Sequence, residues 1–206
     1  MEFTEVLRQR RMVRHYRPDP VPDDTLRRIV QVVRRAPSAG FSQGHRIVVV
    51  TDPTTRQGFA DVAEGWYLQR GDQPWISQAP AHLVLGVREA SYHERYQEPD
   101  KTEPDGSEIP WPVPFWWFDV GALLMLVQLA AINEGLATGF YSPADPHELA
   151  ALAELVNLPE DVALAGIVTI GHPADGLAED PDDRPTAGRL AKRRKPLSHL
   201  VRWQRW

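Results

Sequence analysis

The amino-acid sequence predicts an α+β fold in which helices flank a central sheet. Three runs rich in β-branched and apolar residues, 45–51, 81–87 and 162–170, are typical of strands, and a shorter strand is expected near 138–141. Helical segments separate these runs, and this order favours a sheet covered by helices. The chain has 206 residues and shows no internal repeat or second core, so we expect one domain, 1–206.

The helices are predicted from apolar residues that recur at helical spacing. Asp23 is a favourable N-cap after a proline-rich extended segment, and Gly135 is typical of the residue that ends a helix. The helix before Gly135 is apolar on almost every side, so we expect it to be deeply buried. The predicted helices cover residues 2–11, 23–35, 54–69, 116–134 and 146–156.

Composition excludes several classes of protein. The formal net charge is -5, which argues against nucleic acid as a partner. The chain has no cysteine, so disulfides, thiolate metal sites and cysteine nucleophiles are excluded. The N-terminus has no apolar leader, and Asp119 and Gln128 interrupt the long apolar stretch 113–131. We therefore expect a cytoplasmic protein that does not bind a membrane.

Two clusters of basic residues lie near opposite ends of this acidic chain. The first is Arg10-Arg11-Met12-Val13-Arg14, and the second is Lys192-Arg193-Arg194-Lys195-Pro196. Guanidinium groups bind phosphate oxygens through paired hydrogen bonds, so both clusters could close on one phosphate. Charge alone leaves open the alternative that each cluster is a solvated basic surface.

Two loops combine small residues with hydrogen-bonding groups. In residues 36–44 (APSAGFSQG), small residues let the backbone approach a planar ring, while Ser38, Ser42 and Gln43 can hydrogen-bond its polar edge. In residues 135–143 (GLATGFYSP), the glycines allow backbone amides to point at a ligand. A plain turn and a helix C-cap explain these two loops equally well.

Several motifs of known chemistry are absent from the sequence. The seven histidines are scattered without metal-ligand spacing, so no metal site is expected. The sequence has no G-x-S-x-G elbow, no Walker A motif and no G-x-G-x-x-G loop between a strand and a helix. A nicotinamide enzyme of the Rossmann type is therefore disfavoured.

Taken in order, these segments resemble the nitroreductase family of FMN oxidoreductases nearly from end to end. Each motif alone is unspecific, but six motifs in the family's order form a specific pattern, which favours a shared phosphate over two solvated surfaces. The matching motifs are RRMVR at 10–14, PVP at 20–22, APS with Ser42-Gln43 at 36–43, EGL with Gly139 at 134–139, GHP at 171–173 and KRRKP at 192–196.

The resemblance implies an α+β fold with a central mixed or antiparallel sheet, and an intertwined homodimer that holds FMN at the subunit interface. Basic residues would bind the phosphate and ribityl chain, the first loop would lie against the isoalloxazine ring from the partner subunit, and the second would offer backbone contacts to the ring. Residues 189–206 would form an arm that wraps the partner. The implied FMN-binding residues are Arg10, Arg11, Met12, Arg14, Pro37, Ser38, Ala39, Gly40, Ser42, Gln43, Phe140, Tyr141, Ser142, Lys192 and Arg194.

The reaction implied by the resemblance needs no protein nucleophile, because the flavin carries the electrons. NADH or NADPH would deliver hydride and leave, and a nitroaromatic, a quinone or a similar small acceptor would follow in ping-pong order. Residues 96–114 are aperiodic and rich in Pro, Asp and Glu, so we expect an exposed loop or lid over the site. We hypothesise that Trp111, Phe115 and Trp116 wall the acceptor pocket, whereas Trp117 is expected to pack in the core.

The sequence departs from the family's pattern at three places, and this leaves alternatives open. Met12 stands where the family often has Ser, Phe41 replaces Asn, and Gly44-His45 replaces Pro-Trp. The stretch 40–43 is similar to the related enzyme that makes 5,6-dimethylbenzimidazole from reduced FMN and oxygen, although Met12 stands where that group has an acidic residue. A flavin carrier without turnover, or a module that binds partners through its basic patches, is the alternative from another class.

Overall fold

The computed structural model describes residues 1–174 and 194–206 and has the predicted α+β fold. Two compact units are present, Met1–Ala174 and Asp175–Trp206, and the first carries the four strands found among the described residues. Its strands are β1 (His45–Val50), β2 (Ala81–Val87), β3 (Ala137–Tyr141) and β4 (Ala163–Gly171). Its helices are α1 (Phe3–Gln9), α2 (Asp23–Val30), α3 (Pro53–Ala63), α4 (Gly65–Gln69), α5 (Ala90–Tyr96), α6 (Phe115–Asn133) and α7 (Pro146–Glu154). The described part of the second unit holds one short helix, α8 (Leu197–Leu200).

The four strands form one antiparallel sheet with the order β1-β2-β4-β3. The prediction of a mixed or antiparallel sheet is therefore confirmed, and among the described strands every pairing is antiparallel. Strands β1 and β3 lie at opposite edges, which places them about 14 Å apart because neighbouring strands are spaced by about 4.8 Å. This separation matters for the candidate site, since one candidate loop leads into β1 and the other lies on β3.

The core sits between the sheet and α6. Strand β2 is buried along its whole length, and its alternate residues Ala81, Leu83 and Leu85 join the same apolar cluster as Leu123 and Val127 of α6. On the opposite face of β2, His82 meets Phe59 of α3 edge to face. Both faces of the sheet are thus covered, as a buried central strand requires.

Helix α6 is less buried than its sequence predicts, and here the prediction was wrong. One side, with Val120, Leu123 and Val127, joins the core, but Phe118 is 65% exposed and Trp117 is 42% exposed. Trp117 therefore does not pack in the core of the single chain, contrary to the expectation. By length and composition α6 could cross a membrane, but a core helix of a soluble protein passes the same test. An apolar pattern on all sides of a helix does not show whether each side is covered by the same chain or by another molecule.

Other differences from the predicted elements have local causes. The helix predicted over 54–69 is divided at Glu64, whose buried carboxylate accepts hydrogen bonds from the backbone N–H groups of Trp75 and Ile76. Strand β1 is an edge strand with Val49 exposed, not the fully buried strand that its composition predicts. Asp23 is the first residue of α2, and Pro22 precedes it as the cap residue.

Candidate functional site

The first basic cluster lies along the outer edge of β3. Met12 forms a parallel bridge with Thr138, and the Val13 N–H donates to the Thr138 carbonyl at 2.8 Å. This single pairing extends the sheet by one short segment after α1 ends. The structure therefore brings the 10–14 cluster beside the 138–142 segment, two groups that sequence reasoning assigned to one ligand.

The join between the cluster and β3 is tight. A Cβ at Gly139 would lie 2.7 Å from the Val13 carbonyl oxygen and 2.7 Å from the Thr169 hydroxyl, so only glycine fits. The Tyr16 hydroxyl donates to the Val13 carbonyl at 2.8 Å and shares a 2.7 Å hydrogen bond with the Thr169 hydroxyl. Burial raises the pKa of Tyr16, which keeps its hydroxyl protonated as a donor. The backbone at 13–16 is therefore fixed by packing and by hydrogen bonds.

The arginines of this cluster differ in their surroundings. The Arg14 guanidinium lies 5.1 Å from the centre of the Tyr67 ring and 5.2 Å from that of Trp75, so two aromatic faces hold it. Arg10 is partly buried and forms no ion pair with any residue that the structure describes. Arg11 makes contacts of its own. Two guanidinium groups beside a backbone edge form a donor set suited to a phosphate.

Met12 is half exposed, and its sulfur lies 3.5 Å from the Nε2 of Gln128, which is buried in α6. A hydroxyl at this position would offer an additional donor to a ligand, which the thioether does not. The amide of Gln128 thus faces the position where this chain departs from the family's usual serine.

The 37–43 loop is not a plain turn. Gly40, Phe41 and Gln43 have φ values of +60°, +63° and +52°, and the last two are uncommon for residues with a side chain. Hydrogen bonds within the loop close it on itself. The Gln43 N–H donates to the Ser38 hydroxyl at 2.9 Å and the Ser42 hydroxyl to the Ala39 carbonyl at 2.5 Å, and the Phe41 and Ser42 N–H groups donate to the carbonyls of Ser38 and Ala39. Such strain persists where surrounding structure imposes it, and it is frequent at ligand sites.

Helix α5, which was not predicted, packs against this loop. A Cβ at Gly40 would lie 2.6 Å from the Tyr96 ring, and the Arg95 Nε–H donates to the Gly40 carbonyl at 3.0 Å. A Cβ at Gly44 would lie 2.4 Å from the Tyr92 ring. Each glycine therefore lets the backbone rest directly on a tyrosine of α5.

A carboxylate that the sequence analysis did not assign to the site also holds the loop. Asp119, in the first half of α6, accepts hydrogen bonds on Oδ2 from the Ala39 N–H at 2.9 Å and from the Tyr92 hydroxyl at 2.8 Å. The available signal was a single charge inside a long apolar segment, which the sequence analysis used only against a membrane span.

The one aromatic residue of the 97–114 segment, Trp111, packs against α5 and α6. Trp111 lies 4.6 Å from Tyr96 between ring centres, and its indole N–H donates to Glu108. Glu108 also contacts His93 Nδ1 at 2.6 Å. The indole N–H of Trp111 lowers the pKa of Glu108, with His93 adding to the effect, and Glu108 in turn raises the pKa of His93. The segment has no regular secondary structure, as predicted, but it is anchored at Trp111.

The three aromatic residues predicted to wall a pocket occupy different environments. Trp111 is partly buried beside the loop, and Phe115 is 38% exposed at the start of α6. Trp116 is a member of the core cluster, so its ring is largely inaccessible in the single chain. Consecutive residues at the start of a helix point in directions about 100° apart, and the sequence alone did not show which one faces the core.

The end of β3 places the remaining predicted contacts. Phe140 is partly buried, with its ring over Gly166, and Tyr141 donates a hydrogen bond to Glu148 Oε2 at 2.9 Å. Burial, aided by Glu148, raises the pKa of Tyr141. Ser142 is exposed. Lys192 lies outside the described residues, and Arg194 is exposed at the start of the described part of the second unit.

The candidate residues of the first unit, as far as the structure describes them, fall into two groups that one chain does not bring together. The basic cluster lies beside Thr138, in the row of the sheet that includes Ile170 and Ala81, whereas the 37–43 loop ends at His45, in the row that includes Val87. Ala81 and Val87 are six residues apart along β2, or about 20 Å. The two groups are therefore separated both along and across the sheet.

Comparisons with known proteins agree on one family for this chain. The model of the nitroreductase family matches residues 7–172. The chain is 28% identical to an NADH dehydrogenase of Thermus thermophilus, covering 95% of this chain and 93% of that protein. It is 31% identical to an FMN reductase [NAD(P)H] of Bacillus subtilis (87% and 69%) and 32% identical to a 5,6-dimethylbenzimidazole synthase of Rhodobacter capsulatus (98% and 90%).

A solved structure has the same fold. A nitroreductase family protein from Clostridium difficile 630 superposes with a TM-score of 0.70 over the full length of both chains, at 22% identity. The resemblance inferred from six ordered motifs is therefore confirmed, and this chain belongs to the nitroreductase family.

Proposed function

We propose that this protein is an FMN-dependent NAD(P)H oxidoreductase that passes electrons to a small oxidised acceptor such as a nitroaromatic or a quinone. The observation that carries the proposal is the pairing of two complementary half-sites on a nitroreductase fold. One half-site has guanidinium groups beside the β3 edge, and the other is a strained loop of small residues. The names of the relatives from Thermus thermophilus and Bacillus subtilis support a flavin and a nicotinamide donor.

The donor set at β3 fits the phosphate end of FMN. Arg14 is held over two aromatic rings and Arg10 is unpaired among the described residues, so both can turn toward an anion without breaking an ion pair. Arg11, Met12, Phe140, Tyr141 and Ser142 complete this half-site in the proposal, and Lys192 and Arg194 would add charge from the second unit. Bidentate hydrogen bonds from arginine to phosphate are among the strongest in proteins.

The loop fits the ring end of FMN. Its small residues are partly exposed around Gly40, whose Cα rests on Tyr96, and they would let a planar ring approach the backbone from the open side. Pro37, Ser38, Ala39, Ser42 and Gln43 would surround the ring.

The separation of the half-sites supports a homodimer. In one chain the basic cluster and the loop lie at opposite ends and opposite edges of the sheet, so in this proposal a partner supplies the second half of each site. The exposed side of α6, with Phe118 and Met125, offers an apolar surface for such a contact. In this proposal residues 189–206 form an arm that wraps the partner, and residues 96–114 form a lid beside the ring. A closed symmetric dimer would then carry two equivalent sites.

The bound FMN would accept a hydride from the nicotinamide and pass its electrons to the acceptor, in a ping-pong order. This chemistry needs no nucleophile from a side chain. Their tasks are to bind the phosphate, to orient the ring through backbone contacts, and to shape the space in which donor and acceptor alternate. Trp111 and Phe115 are the aromatic residues that we expect to border that space.

An absorbance spectrum and an anaerobic titration test the proposal. We expect the purified protein to bind FMN with a flavin spectrum, and NADH or NADPH to bleach that spectrum before any acceptor is added. A nitroaromatic or a quinone should then restore it. A protein that binds FMN but is bleached by neither nicotinamide would be a carrier, and this result would contradict the enzymatic proposal.

The 5,6-dimethylbenzimidazole synthases are the second candidate, because the Rhodobacter capsulatus relative covers nearly the whole chain. Those enzymes resemble one another in having an acidic residue at the position of Met12. The methionine in this chain therefore argues against this activity. Aerobic incubation with reduced FMN distinguishes the two. Formation of the benzimidazole would favour the second candidate, and intact FMN would favour the first.

A further inference from the structure

The carboxylate of Asp119 stands out because of its surroundings. It is the only charged side chain in the 19 residues of α6, and it is partly buried. No cation pairs with it among the residues that the structure describes. His45 lies close by, but burial lowers the pKa of His45 and keeps its ring neutral near neutral pH. A charge in such a place is costly unless hydrogen bonds compensate it.

The compensation comes from two donors that meet on one oxygen. The Ala39 N–H and the Tyr92 hydroxyl both donate to Oδ2, at 2.9 Å and 2.8 Å. Ala39 begins the strained part of the loop, and Tyr92 supports the loop at Gly44. The same atom thus connects α6, α5 and the loop.

The loop needs such an anchor. Phe41 and Gln43 are held at positive φ, and the Phe41 side chain is 71% exposed, so its own packing does not impose this conformation. The internal hydrogen bonds, from backbone N–H groups of the loop and from the Ser42 hydroxyl to acceptors on Ser38 and Ala39, tie the loop to itself but not to the rest of the molecule. Asp119 attaches the start of the loop to α6 at Ala39. Arg95 donates to the Gly40 carbonyl, and Arg46 of β1 donates to the Gln43 carbonyl at 3.1 Å, so Asp119 is the attachment on the α6 side.

We propose that Asp119 is a positioning residue that fixes the shape of the 38–43 loop for the flavin ring. It does not touch the flavin in this account but acts through Ala39 and Tyr92. The inference rests on the proposed function, since it takes the loop to be the surface on which the ring lies.

The test compares three substitutions in the full-length protein by titration with FMN. Asp119→Ala removes both hydrogen bonds, and we expect FMN to bind about ten-fold to a hundred-fold more weakly, the loss expected for hydrogen bonds to a charged group. Asp119→Asn keeps one oxygen that can accept both bonds, so its affinity should stay within about three-fold of the wild type. Tyr92→Phe removes one of the two hydrogen bonds, so its affinity for FMN should lie between those of the wild type and Asp119→Ala. Asp61→Ala, at an exposed acid of α3, is the control and should bind as the wild type does.

Hydrogen exchange separates positioning from general destabilisation. In Asp119→Ala the amides of residues 39–44 should exchange faster, while those of β2 and β4 should be unchanged. The inference is overturned if Asp119→Ala binds FMN like the wild type, or if Asp119→Asn binds as weakly as Asp119→Ala, because the charge and not the hydrogen-bond geometry would then matter. Either result leaves the proposed function intact. A wild-type protein that binds no FMN would instead overturn the proposed function itself, and with it this inference.

Discussion

Replacing Gly40 by alanine tests how the candidate ring-binding loop is built. An L-residue at φ +60° costs about 1–2 kcal/mol in a left-handed conformation. The added Cβ would also lie 2.6 Å from Tyr96, whose ring is held against Trp111, and such overpacking costs about 1–3 kcal/mol. We therefore expect Gly40→Ala to lower the free energy of unfolding by about 2–5 kcal/mol.

Gly71 is the matched control for this substitution. It has φ +80° and open space around the position of a Cβ, so Gly71→Ala carries the backbone cost without the overlap. Urea denaturation of the two variants without FMN gives the difference, which should be about 1–3 kcal/mol larger for Gly40→Ala. FMN affinity should fall only in Gly40→Ala. If the two variants lose equal stability, the close packing of the loop on Tyr96 is refuted.

Three further substitutions test other parts of the account. Arg14→Ala should weaken FMN binding about ten-fold through the loss of charge-assisted hydrogen bonds, whereas Arg8→Ala, at an exposed residue of α1 paired with Glu5, should leave it unchanged in the same titration. Trp111→Ala should change the ratio of kcat/KM between a quinone and a nitroaromatic while FMN content stays intact, and an unchanged ratio would remove Trp111 from the pocket. His82 is fully buried and desolvation lowers its pKa to about 3, so the folded state loses stability as pH falls below about 6.5, with a slope of up to about 1.4 kcal/mol per pH unit. Urea denaturation between pH 7 and pH 4 should show a flatter slope in His82→Leu and an unaltered slope in the exposed control His147→Leu; equal slopes in both would contradict the assignment.

The sequence predicted the sheet and most helices because their apolar patterns are strong and local. Strand β2 has the predicted bounds, 81–87, and its composition leaves little ambiguity. The short α5 was not predicted because its apolar residues are tyrosines that pack below the loop. The break at Glu64 depends on hydrogen bonds to residues 75 and 76, which no local pattern reveals.

The candidate site was only partly predictable for a similar reason. Ordered motifs identified the basic cluster and the loop, since glycine, proline and arginine at fixed positions leave a readable pattern. The role of Asp119 depends on a contact across 80 residues of sequence, with Ala39. Trp117 was expected in the core, but Trp116 faces the core and Trp117 is exposed, because the packing of α6 decides which of two adjacent aromatic residues is buried.

The central claim is that each flavin site takes its arginines from one chain and its loop from the other. A heterodimer of Arg14→Ala with Gly40→Ala, isolated through two different affinity tags, tests it most directly. One of its two sites would combine both wild-type halves, so it should bind about half the flavin of the wild-type dimer with wild-type affinity, at an FMN concentration that leaves both homodimeric variants largely empty. If the arginines and the loop of one site belonged to the same chain, every site in the heterodimer would carry a defect, and FMN would bind no better than to either variant alone.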